Sequence, residues 1–236
     1  MIERQTIRKL FGSAADREVV IIGTGPSVWG FDWAQLDPYY TIALNDAIYY
    51  LTPDIHLWHD NLLFNRIDKD GRSYIRHPYQ PKTLIVCRDL ACKWLASRLD
   101  WKFKDRVYVY KQHGPDSDVN GDQMWVDHSV STAGIMLAKK LGARKVFLLG
   151  LDGFRVNGAE YAHELQPGKE EGEQETMLKR TRDSQDHDKV AHWLAIMAGP
   201  FPGGIINCSP HSIITTWPRM TWEAATRAPR LENSTA

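Results

Sequence analysis

Glu18-Val-Val-Ile-Ile-Gly-Thr-Gly-Pro-Ser27 is the stretch that decides the fold. Val19–Ile22 is an unbroken apolar, β-branched run, too short for a helix. Such a run suits a strand buried on both faces, as in a parallel sheet. Gly23-Thr-Gly-Pro-Ser27 reads as a turn, and residues 28–36 are expected to start a helix. The same alternation continues outward. Strands are expected at residues 41–44, 54–58, 83–86, 106–110, 145–149 and 205–207. Helices are expected at about 89–99, 129–141, 178–198 and 220–227. The first eighteen residues read as a short charged helix. Strands alternating with helices predict an α/β fold, a doubly wound, mostly parallel sheet covered on both sides. In such sheets ligands sit beyond the carboxyl ends of the strands. Gly23–Ser27, Asn45-Asp46, His59-Asp60 and Gly150–Asp152 all follow strands, so polar residues gather at that edge.

A length of 236 residues suits one domain, 1–236, with a lid insertion at about 153–180. The insertion is highly charged (PGKEEGEQE), and its plainer reading is a surface insertion. Residues 64–82 and 112–127 also look irregular. Hydrophobic residues at 43% and charged ones at 25% exclude a mainly disordered chain. Lys+Arg 29 balances Asp+Glu 29, which argues against holding DNA or RNA through phosphate neutralisation. A nucleic-acid acceptor for a modifying enzyme stays open. No apolar run is long enough for a membrane span, and MIERQTIRKLFG has no signal-peptide core. Cys87, Cys92 and Cys208 form neither a disulfide framework nor a zinc spacing, so a reducing cytoplasm is the expected location.

Four groups of residues are candidates for chemistry. Gly23, Thr24, Gly25, Pro26 and Ser27 form a Gly-x-Gly turn, with Pro26 suited to a first helical position. Free amides at such a helix start bind phosphate, and a plain tight turn is the alternative. The six-residue dinucleotide pattern is not met, since Val28 stands at its third Gly, and the Lys of a P-loop is missing. His128-Ser-Val-Ser-Thr-Ala-Gly134 opens a helix with Ser129, Ser131 and Thr132 in its first turn, more hydroxyls than one cap requires. Asp46, Asp60 and Asp152 lie at strand ends; converging, they would suit Mg²⁺ bridging phosphates. His163 and His187 lie in or near the charged insertion and have the chemistry of a general base. His187 and His192 are five apart, which does not face them together on a helix, so a metal pair is not expected. Trp58, Trp125 and Trp217 lie near predicted loop ends, where core and rim packing is the better reading for each.

Val20-Ile-Ile-Gly-Thr-Gly-Pro-Ser27, Phe31-Asp-Trp-Ala-Gln-Leu36 and Ile42-Ala-Leu-Asn45 together resemble the start of the bacterial lipooligosaccharide sialyltransferases, glycosyltransferase family 42. Asn157-Gly-Ala-Glu-Tyr-Ala162 and Cys208-Ser-Pro-His-Ser212 resemble the same family. Ser129-Val-Ser-Thr132 with Leu141-Gly-Ala-Arg-Lys-Val-Phe-Leu-Leu-Gly-Leu-Asp152 is similar to the 6-hydroxymethylpterin diphosphokinase-like proteins. The likeness implies a Rossmann-like domain with a lid. It implies that Gly23, Gly25, Pro26, Ser27 and Asn45 hold the CMP part of a donor, with Ser129, Ser131 and Thr132 lining the nucleotide. It implies that Tyr161 contacts the departing phosphate and that a His beyond the lid is the base, His187 first and His163 as its rival. Thr24 replaces an Asn of the family, and Gly153-Phe154 stands where the family has a second tyrosine.

The expected function is therefore transfer of a sugar from a nucleotide-activated donor, CMP-linked before others, to a hydroxyl acceptor, with no cofactor. The alternatives are an ATP pyrophosphokinase of a small hydroxymethyl compound, with Mg²⁺ on Asp46, Asp60 and Asp152, and a nucleotide-binding module without catalysis. Oligomeric state stays open, a homo-oligomer included.

Overall fold

The structure is a computed structural model. It describes residues 5–59, 80–88, 104–113, 121–125, 130–152, 200–212 and 214–227. Nine strands are described: β1 (Gln5–Thr6), β2 (Glu18–Ile22), β3 (Tyr40–Leu44), β4 (Ile55–Trp58), β5 (Leu84–Arg88), β6 (Val107–His113), β7 (Gln123–Trp125), β8 (Lys145–Leu149) and β9 (Ile205–Asn207). Helix α1 spans Val130–Lys140 and α2 spans Trp222–Arg227. The sheet runs β1-β6-β5-β4-β3-β2-β8-β9, with β7 on β6. All these pairings are parallel.

The order is that of a doubly wound sheet. From β2 the chain builds outward through β3, β4, β5 and β6, then returns to place β8 and β9 on the other side of β2. The reversal puts the switch point between β2 and β8. There the register pairs Val20 with Phe147 and Ile22 with Leu149.

Burial explains why β2 is central. Val19, Val20, Ile21 and Ile22 are all at 0% exposure, so neither face meets water. Val19 and Ile21 join α1, Ile42, Leu44 and Leu148 in one layer. Val20 and Ile22 face Val28, Leu36, Phe147 and Trp222 in the other.

Helix α1 lies close on its side of the sheet because Gly134 has no side chain. A Cβ there would stand 3.1 Å from Leu44 Cδ2 and 3.2 Å from Ile21 Cγ2. The end of α1 is capped by the segment before β2: Gly12 N donates to Lys140 O and Ala14 N to Leu141 O. These bonds satisfy carbonyls a helix end leaves open. They also set the direction of α1. Its end lies at the start of β2, so its first turn lies at the carboxyl edge of the sheet. An 11-residue helix and a five-residue strand are both about 16 Å long.

Two expected helices are corrected. The first eighteen residues form no α-helix where described. Gln5–Thr6 pairs with β6, Ile7–Leu10 is a single 3-10 turn with Ile7 and Leu10 buried, and Gly12 and Asp16 take positive φ. Residues 28–36 are likewise no α-helix but two short 3-10 turns, Pro26–Val28 and Trp33–Leu36. Gly30, at φ 72°, breaks the chain between them. Asp32 then starts the second turn by accepting from Ala34 N. Aromatic rings complete this layer: Trp222 meets Phe31, Tyr39 and Phe147 edge-on at centroid distances of 5.7, 5.2 and 5.4 Å. The stretch 112–127, expected to be irregular, contributes the end of β6 and all of β7. Expected helices at 89–99 and 178–198, and the lid at 153–180, lie outside the described residues. Among the described residues no helix is long and apolar enough to cross a membrane.

Gly134→Val tests the close approach of α1. Overpacking of this kind costs about 1–3 kcal/mol, which for a chain of this size lowers Tm by roughly 2–12 °C. Calorimetry that finds an unchanged Tm would contradict the packing described.

Candidate functional site

Gly23–Ser27 leaves β2, Gly150–Asp152 leaves β8 and Cys208–Ser212 leaves β9, three neighbouring strand ends on one edge. The structure ties them together. Gly23 N donates to Leu149 O at 2.7 Å and Gly25 N to Gly150 O at 2.9 Å. Ser27 N donates to Asp152 Oδ2 at 2.8 Å. The Ser27 and Ser209 hydroxyls lie 2.8 Å apart, and Ser209 N donates to Asn207 Oδ1 at 3.1 Å. Ser212 Oγ reaches the carbonyls of Leu151 and Asp152 at 3.0 and 2.9 Å. Asp152 is 2% exposed, and Asn207, Ser209 and Ser212 are fully buried.

This changes what the glycines do. A Cβ on Gly25 would stand 2.4 Å from Asp152 Oδ2 and 2.7 Å from Gly150 O. One on Gly23 would stand 2.4 Å from Gly150 O. Both glycines are required because two strand-end loops pack backbone to backbone. The expectation that free amides at a helix start hold phosphate is corrected here. The Gly23, Gly25 and Ser27 amides are spent inside the protein, and only a three-residue 3-10 turn follows. The Asp152 carboxyl group takes the Ser27 amide on Oδ2, and its Oδ1 is buried without a partner among the described residues. Thr24 is partly exposed and Ser27 exposed, while Pro26 is buried.

Asn45 stands at the end of β3, beside this cluster, in a left-handed conformation at φ 47°. Its backbone carbonyl accepts from His56 Nε2 at 3.0 Å. Its side-chain Oδ1 is buried and has no hydrogen-bond partner among the described residues. Asp46 follows it, partly exposed. Asp46 and Asp152 leave strands on opposite sides of β2, so their backbones are about 10 Å apart. Among the described residues no group of three His, Cys, Asp or Glu is placed to hold a metal ion.

Ser131 is partly exposed and Thr132 buried in the first turn of α1, at the same edge of the sheet. Ser129, Asp60, Tyr161, His163 and His187 lie outside the described residues. The fold therefore brings Gly23, Thr24, Gly25, Pro26, Ser27 and Asp152 together. It sets Asn45, Asp46, Ser131 and Thr132 along the same edge.

Sequence reasoning passed over three features. Asn207, Ser209 and Ser212 complete the loop cluster; the Cys208–Ser212 motif was their signal, but nothing in the sequence showed that it packs on Asp152. His59 Nδ1 lies 2.8 Å from the Tyr110 hydroxyl at the end of β4. Tyr110 is fully buried, and burial pushes its phenol well above the usual tyrosine range. The phenol keeps its proton. Cys208 is the third. Burial pushes its thiol up to about 12, against a smaller opposing pull from Lys145.

No protein-family model matches the chain, and no curated protein matches it. Solved structures do. The monofunctional alpha-2,3-sialyltransferase Cst-I from Campylobacter jejuni superposes with a TM-score of 0.52 at 11% identity, over 87% of this chain and 80% of that one. The chain shares its fold with a sialyltransferase. CstII from the same organism, in complex with the substrate analogue CMP-3FNeuAc, gives a TM-score of 0.49 at 13% identity, over 91% of this chain and 87% of that one.

Two predictions follow from the cluster. Gly25→Ala and Asp152→Ala each destabilise, but the pair costs less than the sum, because removing the carboxyl group relieves part of the clash at Cβ. A coupling of about 1 kcal/mol or more is expected from paired denaturant titrations; strict additivity would contradict the contact. Cys208 stays protonated at pH 8, so iodoacetamide should leave it unlabelled in the native protein and label it in guanidinium, as read by peptide mass mapping. Rapid labelling in the native state would show that the thiol is not buried.

Proposed function

We propose that this chain is a glycosyltransferase that takes a sugar from a nucleotide-activated donor, a CMP-sugar, and passes it to a hydroxyl acceptor. One observation carries the reading. Two segments that resemble the sialyltransferases, Val20–Ser27 and Cys208–Ser212, meet at one edge of a sheet whose fold matches that of Cst-I. That edge, at the switch point between β2 and β8, is where doubly wound sheets hold nucleotides. The solved relatives' names support a CMP donor, since CstII is described with CMP-3FNeuAc bound.

In this reading the nucleotide lies across the edge, between Asn45, the Thr24 and Ser27 side chains, and the start of α1 with Ser129, Ser131 and Thr132. The orphan Asn45 Oδ1 wants a hydrogen-bond donor, which a ribose hydroxyl or a base amino group supplies and a phosphate oxygen does not. A histidine, His187 or His163, removes the proton from the acceptor hydroxyl. The acceptor oxygen bonds to the anomeric carbon, and CMP departs with the electrons of the broken bond. Tyr161 donates to the leaving phosphate. A lid over 153–180 keeps water from competing for the sugar. No cofactor is needed, and a cytoplasmic enzyme fits the free thiols of Cys87 and Cys208. The pyrophosphokinase alternative has less support, because the fold matches that of a sialyltransferase.

Calorimetric titration with CMP, UDP, GDP and ATP, each with and without Mg²⁺, tests the reading. CMP is expected to bind most tightly and without regard to Mg²⁺. Binding of ATP alone, dependent on Mg²⁺, would contradict the proposal. Asn45→Gly is the matching variant, since glycine keeps the positive φ at no strain. It should weaken CMP about tenfold, the loss of one well-placed hydrogen bond, while Tm holds. Unchanged affinity would remove Asn45 from the site.

A further inference from the structure

Among the described residues Trp29 is the one large hydrophobic side chain left exposed, at 48%. Its segment is pinned on both sides. Before it, Val28 is buried, and its Cγ1 lies 2.9 Å from where a Cβ on Gly150 would stand. Trp29 N donates to Pro26 O at 3.0 Å. After it, Phe31 N donates to Val28 O at 3.1 Å, and the Phe31 ring packs on Trp33 and Trp222. The indole is therefore held out by a fixed turn at the switch point, two residues beyond Ser27.

An exposed indole is disfavoured in water, so a partner with a flat apolar face gains by covering it. The surroundings select the kind of partner. Ser27, Gly30, Asp32, Gln35 and Asp37, in the same stretch of chain, are all exposed. This is a single aromatic plate in a polar, acidic setting, not the broad apolar patch that a protein partner or lipid surface engages. A pyranose ring offers an apolar C–H face within a rim of hydroxyls, which suits one exposed indole face in a polar setting.

We propose that Trp29 forms an acceptor subsite for a carbohydrate, an inference that rests on the glycosyl-transfer reading. The indole face stacks on the C–H face of the acceptor ring, and the exposed polar residues of the same segment leave the ring hydroxyls in a polar setting. The turn stands beside the nucleotide edge, so the ring is held next to the donor sugar, where the attacking hydroxyl must come within about 3–3.5 Å of the anomeric carbon.

The test uses the full chain with CMP present and the methyl β-glycosides of glucose, galactose and N-acetylglucosamine as probes, read by saturation-transfer NMR. CMP affinity is measured on the same samples. At least one glycoside should bind the wild type and Trp29→Phe, and Trp29→Ala should weaken it about tenfold or more, with CMP affinity unchanged. If CMP binds but no glycoside does, or Trp29→Ala binds as well as wild type, the subsite is wrong and the donor reading stands. If CMP binds to none of the three proteins, the glycosyl-transfer reading fails and takes the subsite with it. Vesicle binding that Trp29→Ala abolishes would overturn the subsite in favour of a lipid surface.

Discussion

The bond from Ser27 N to Asp152 Oδ2 is the constraint on which the candidate site depends. It closes the loop after β2 onto the loop after β8, and through Ser27 and Ser209 it draws in the loop after β9. Burying a carboxyl group is costly unless it is hydrogen-bonded. A backbone amide meets Oδ2, Oδ1 is buried without a partner among the described residues, and position 25 is glycine because no side chain fits beside Oδ2. An oxygen of Asp152 thus occupies the place that a phosphate oxygen takes in a glycine-rich phosphate loop. At this edge Ser27 is exposed, and Thr24 and Asn45 are partly exposed.

Much of the fold is legible in the sequence because it rests on local burial. A run such as Val19–Ile22, buried on both faces, has one reading, and residues 145–149 and 205–207 match their strands end to end. The failures are places where tertiary contacts override local pattern. Residues 1–18 carry charge at helical spacing. Ile7 and Leu10 are nevertheless drawn into the core, and Gly12 and Ala14 are used to cap α1. Residues 28–36 lose their helix to Gly30 and to an aromatic layer built around Trp222, some 190 positions away. Short strands such as Gln123–Trp125 exist only because β6 is there to pair with.

The site is legible as a set of segments and not as a geometry. Strand-end residues were recognisable from their position after apolar runs, and the fold gathers them. What one sequence could not reveal is which amide meets which carboxyl group. Gly-Thr-Gly-Pro-Ser is equally compatible with a loop that cradles phosphate and one that closes on Asp152. Nor could spacing expose the orphan Asn45 Oδ1 or the His59–Tyr110 pair, since both arise from neighbouring strands far apart in the chain.

The most direct measurement is a crystal structure with CMP bound. The nucleotide should lie at the carboxyl edge against Asn45, Thr24 and the first turn of α1, with the Ser27 N to Asp152 Oδ2 bond unbroken. A phosphate seated in the glycine loop, taking the amides of Gly25 and Ser27 and displacing Asp152, would contradict the account, as would CMP bound away from this edge.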